Sequence, residues 1–120
     1  MENEITKESM VELIKKTTND LKMSLNTRII PFCSTMNDEY IVGYATEPTR
    51  EMKAFALAKA AKSPLIAGME LLNYCLIKDA TDVRYFSTES KYDPMIFGAA
   101  IKIMDSIEIQ ADECIAIDIL

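Results

Sequence analysis

The sequence predicts an α+β fold: a small antiparallel β-ribbon of two to three strands packed with a compact unit of three to four helices. Three observations predict it. Apolar and polar residues alternate between residues 20 and 46, the period of a half-buried strand. From residue 49 to 107 the apolar period changes to about 3.6, in three separate stretches. Two of those stretches open with Ser63-Pro64 or Asp93-Pro94, a cap followed by the residue that suits a first helical turn. A length of 120 residues allows one domain with a modest core, and 49% hydrophobic against 27% charged residues is a globular balance.

Each element follows from its own signals. Residues 6–18 place Met10, Leu13, Ile14 and Thr17 on one face of a helix, with Thr6 as N-cap and Glu8 at the positive end of its dipole. Asn19-Asp20 is expected to end this helix, leaving residues 1–19 as an N-terminal helix or arm. From Leu21 to Phe32, Met23, Leu25 and Thr27 alternate with Lys22, Ser24 and Asn26, the pattern of a first strand. Tyr40 to Tyr44 is the second, across a polar turn at 34–39 that contains Asn37-Asp38. Pro31 offers no N–H to a ladder, so its strand is expected at an edge or bulged.

The stretch GYATEPTREM, residues 43–52, is where period two gives way to period 3.6. Thr49 is expected to cap a helix from about Arg50 to Ala61 that carries Met52, Phe55, Ala56 and Lys59 along one side. The Ser63-Pro64 helix carries Leu65, Met69, Leu72 and Leu76, and the Asp93-Pro94 helix carries Phe97, Ala100, Ile101 and Met104. Residues 108–120 form a C-terminal strand or tail: Ile107 and Ile109, then Ile115, Ile117 and Ile119, alternate like a strand with one buried face. Residues 113–119 are expected to add a third strand to the ribbon, within the chain or in a neighbouring subunit.

Composition excludes several functions. With no histidine, a Ser-His-Asp triad, a Cys-His dyad and a His-based zinc site are all ruled out. Cys33, Cys75 and Cys114 are widely spaced, without a CxxC pair, and read as small buried hydrophobes in a reducing compartment. Asp79 and Asp82 lack the glycine and glutamate of a calcium loop, and Gly43, Gly68 and Gly98 are too isolated for a phosphate loop. Nothing in the sequence orients Glu108, Asp112, Glu113 or Asp118 as an acid–base pair. No catalytic, metal or cofactor site is therefore expected, and the chain is not expected to be an enzyme. A net charge of −6 disfavours nucleic acid and anionic membranes as partners. No signal peptide or apolar run of spanning length is visible, so a cytoplasmic location is expected.

What remains is binding. Eight methionines are spread over nearly every element, as adaptable core filler or as a deformable surface for an apolar partner. Met52, Phe55, Met69, Leu72, Tyr85 and Phe86 are the candidate partner-binding residues, with Tyr92 a further aromatic in the long connection.

The element order carries a resemblance over residues 22–107. An alternating ribbon ends in GYATEPTREM; an Ala-rich helix, KSPLIAGMELLNYCLI, an acidic loop and a last helix follow. With Pro48, Ser63, Pro64, Leu71, Leu72, Asn73, Cys75 and Asp79 at the matching positions, the chain resembles small tail-assembly chaperones of tailed bacteriophages and prophages. Lys78-Asp79-Ala80 stands where those proteins carry a glycine. The resemblance implies a non-catalytic protein of the host cytoplasm that binds the long, apolar tape-measure protein. Another morphogenesis protein as partner and self-association as a homo-oligomer are further expectations. The alternative is a structural virion component, a connector, ring or cargo protein, located in the virion.

Overall fold

The computed structural model describes residues 6–112, the last five by their backbone alone. Its elements are α1 (Lys7–Leu25), β1 (Ile29–Met36), β2 (Glu39–Thr46), α2 (Arg50–Ala60), α3 (Pro64–Cys75) and α4 (Asp93–Asp112). Three short 3-10 turns, Lys78–Ala80, Val83–Phe86 and Ser90–Tyr92, fill the connection from α3 to α4. Among the described residues, four helices with one two-stranded antiparallel sheet make a small α+β fold.

The first helix is longer than its sequence suggests. Thr6 caps it as expected, its hydroxyl accepting from the Ser9 N–H at 3.0 Å. Asn19-Asp20 does not stop it, and residues 21–25 are helical rather than extended. The reason is that Leu21 falls four residues after Thr17, so it extends the Met10–Ile14–Thr17 seam as readily as it begins a strand. The stop comes at Asn26, left-handed at φ 54°, whose N–H bonds the Lys22 carbonyl at 2.8 Å. Leu13, read from spacing as part of the seam, is exposed.

Asn37 and Asp38 form a two-residue hairpin with positive φ at both positions, 53° and 64°. That turn matches the right-handed twist of its strands and sets the register Met36↔Glu39 through Ile29↔Thr46. The expected six-residue turn is therefore only two residues long. One face of the ribbon carries Ile30, Phe32, Ile41 and Ala45 into the main core. The other carries Ile29 and Tyr44, buried under α1.

The main core joins that first face to α3, α4 and the connection. Ile41 and Ile103 are its two fully buried large side chains. Thr49 and Ser63 cap α2 and α3, accepting from Met52 N–H at 3.2 Å and Ile66 N–H at 3.3 Å. Met52, Ala56 and Ala60, spaced by four, turn the short side of α2 towards α3. Gly68 lets α3 close on α4, since a Cβ there would lie 2.9 Å from the Ala100 carbonyl carbon.

The expected end near residue 107 is overturned too. Helix α4 continues to Asp112, so Ile107 and Ile109 are helical. Ile107 sits four residues after Ile103 and three after Met104, and all three are core residues; that helical spacing prevails over the local alternation. Among the described residues the ribbon has two strands. The expected strand at 113–119 lies outside them.

Candidate partner-binding surface

Helix α3 separates its side chains into two clean faces. Ala67, Gly68, Leu71, Leu72 and Cys75 point inward. Ile66, Met69, Glu70, Asn73 and Tyr74, at i, i+3, i+4, i+7 and i+8, form the exposed face. Leu72, 3% exposed, and Tyr85, 2% exposed, are core residues that reach only the lining of a groove beside α3. Phe55 is 76% exposed, Met69 and Phe86 are each partly exposed, and Met52 is half-buried against the core.

The exposed candidates belong to two grooves on either side of α3. A groove of about 230 Å³ lies between α2 and α3, bounded by Met52, Phe55, Lys59, Glu70 and Tyr74. One of about 480 Å³ lies between α3 and the connection, bounded by Ile66, Met69, Asn73, Phe86 and Ile96. The ridge between them is α3 itself. Two residues missed from sequence, Tyr74 at 72% and Ile66 at 53% exposed, are its most prominent apolar side chains. Their signal was present: they lie eight residues apart on the stripe opposite Leu71 and Leu72.

Charges frame the ridge without covering it. Lys59 bridges both carboxylate oxygens of Glu70 at 2.7 and 2.9 Å, tying α2 to α3 at the groove mouth. Lys78 stands 5.6 Å from the Phe86 ring centroid, a cation–π contact that holds the ring at the surface. Lys91 stacks similarly 5.1 Å from the half-buried Tyr92.

The remaining polar groups serve architecture. Arg84 donates to both oxygens of Glu39, at 3.0 and 2.9 Å, and to both oxygens of Asp82, at 2.9 and 2.8 Å. Hydrogen bonds from Arg84 hold the Glu39 and Asp82 carboxyls below their usual range, the wrong direction for a general acid near neutral pH. Cys75 is buried as expected, but Cys33 is an exposed residue of the strand edge, not a buried hydrophobe. Desolvation pushes both thiols up, away from the thiolate that nucleophilic chemistry needs. Asp79 is exposed while Asp82 turns to Arg84, so the two do not converge. Among the described residues no three His, Cys, Asp or Glu side chains come together to hold a metal ion. No helix among them is long and apolar enough to cross a membrane.

Tyr85 closes the interior. Its hydroxyl donates to the Ile41 carbonyl at 2.8 Å and lies 3.0 Å from the Ser34 hydroxyl. Its ring meets Phe32 edge-on at 4.8 Å, and burial pushes the phenol pKa up to about 12. Comparisons of the chain with protein-family models, with curated proteins and with solved structures find no match.

Proposed function

We propose that this protein is a non-catalytic binding protein of phage assembly, a tail-assembly chaperone that covers an apolar helical stripe of the tape-measure protein. The observation that carries the reading is the α3 ridge: Ile66, Met69 and Tyr74 in helical register, Phe55 beside them, and a groove on each flank. An amphipathic partner helix laid in either groove would bury these side chains, at about 1.5–3 kcal/mol for each large one. Exposed aromatics near the centre of such a face are the usual anchors of an interface. The element order and the KSPLIAGMELLNYCLI segment support the phage assignment, and a net charge of −6 would keep the complex dispersed.

Co-expression tests it. The chain is expected to raise the soluble fraction of the tape-measure protein encoded in the same phage genome, and the double substitution Phe55→Glu, Tyr74→Glu to abolish that effect while leaving the fold intact. A variant that solubilises equally well, or a pull-down with no morphogenesis partner, would overturn the reading.

One observation favours a structural virion component instead. Helix α1 buries only Met10 and exposes Val11, Leu13, Met23 and Leu25, as an arm laid on a neighbouring subunit would. Mass spectrometry of purified virions separates the two: a chaperone is absent from mature particles, and a structural protein is present at stoichiometric copy number.

A further inference from the structure

The two flanks of α3 differ in chemistry. On the α2 side the charges are already paired, because the Lys59–Glu70 bridge spans that groove. On the other side, Ile66, Met69 and Asn73 of α3 form one wall, and Phe86, Asp93 and Ile96 form the other. Among the described residues no hydrogen bond or ion pair joins these walls, and the side chains of Asn73 and Asp93 have no partner. Glu70 also reaches this groove, but Lys59 holds both its oxygens. No lysine or arginine lines it. Lys78 lies over the Phe86 ring, and Lys91 stands 3.7 Å from Glu89. The groove is therefore apolar with one unanswered carboxylate.

The walls also decide the backbone form of an occupant. They come from α3, the Val83–Phe86 turn and the start of α4, and neither strand of the ribbon lines them. An extended segment would find no strand edge there and would leave its own N–H and C=O groups unpaired. A helix satisfies those groups internally. From Ile66 to Leu76 the α3 wall is about 15 Å long at 1.5 Å per residue, room for about three turns.

We propose that the groove between α3 and the connection seats a partner helix whose apolar stripe is bordered by a lysine or arginine set against Asp93. Ile66, Met69, Phe86 and Ile96 receive the stripe. Asn73 can both donate to and accept from a polar side chain beside it. A helix laid there shields Asp93 from water, which makes its pairing with a cation stronger than an open surface bridge. The inference rests on the reading of α3 as a partner surface and adds the partner's chemistry. It holds whether or not that partner is the tape-measure protein.

Two fluorescent stapled helical peptides test it on the full chain, by anisotropy at low salt. Both carry leucine at i, i+4, i+7 and i+11; one sets lysines beside that stripe and the other glutamates. The lysine peptide is expected to bind at least tenfold more tightly and to shift the amide signals of Met69, Asn73, Phe86 and Ile96. A net charge of −6 favours any cationic peptide, so two variants that each remove one negative charge separate the site from that background. Asp93→Asn is expected to cut the preference at least fivefold, and Glu12→Gln, on the exposed side of α1, to leave it within a factor of two. The double substitution Phe55→Glu, Tyr74→Glu alters the other flank and should still bind the lysine peptide, so this inference and the chaperone reading fail separately. Equal affinity for the two peptides, equal losses in the two single variants, shifts confined to Phe55 and Tyr74, or no binding of either peptide would each overturn the proposal.

Discussion

Arg84 is the residue on which the hairpin tip depends, since its guanidinium alone links Glu39 of β2 to Asp82 of the connection. Both carboxyls are held below their unfolded pKa values of about 4.3 and 3.9. A depressed folded pKa contributes stability that is fully present above the unfolded value and lost as pH falls through the folded one. Stability is therefore expected to decline below about pH 4, and Arg84→Gln to flatten part of that decline in urea titrations run across pH. Gly68 gives a second residue-scale test, because two effects of opposite sign meet there. Alanine gains about 1 kcal/mol of helix propensity. Its methyl, however, would press on the Ala100 backbone, which cannot swing aside, and overpacking costs about 1–3 kcal/mol. Gly68→Ala is expected to lower the melting temperature; an unchanged or higher value would show that α3 can retreat from α4.

Among the elements, β2 is held by side-chain chemistry and α1 is hardly held at all. Thr81→Val keeps the shape of a buried side chain and removes both bonds to Tyr44, leaving that backbone N–H unpaired. A loss of about 1–3 kcal/mol is expected, read by denaturant unfolding. Helix α1 meets the ribbon through Met10, with Ile14, Thr17 and Leu21 only half-buried, so few contacts oppose its local opening. Its amides are expected to exchange well before those of Ile103 and Met104 in α4. Equal protection in both helices would mean that α1 unfolds only with the whole domain.

Across the whole molecule, the ribbon separates a large core from a small one. Ile103 belongs to the large one, and Ile103→Ala is expected to cost about 2–5 kcal/mol and move the urea midpoint with little change in slope. Met10 belongs to the small one beneath α1. Met10→Ala is expected to speed exchange in α1 while shifting the global midpoint far less, because the large core survives without that helix. The grooves flanking α3 share no lining residue with the groove that Ile14, Pro31, Cys33 and Lys102 bound, so the two are separate surfaces.

Local signals settled what they physically control. Thr6, Thr49 and Ser63 name their helix starts because each cap hydroxyl bonds an N–H within the next three residues. Asn37-Asp38 names the hairpin because few other residues accept two successive left-handed positions. Where two periods fit the same letters, as at residues 21–25 and 107–109, sequence alone favoured strand and the packed helices decided otherwise. Tyr85 went inward because its hydroxyl bonds the Ile41 carbonyl and its ring packs on Phe32. Leu72 went inward, and Ile66 and Tyr74 outward, because the close approach of α3 to α4 at Gly68 fixes which side of α3 faces the core. That approach is made between residues thirty-two positions apart, beyond the reach of any local pattern.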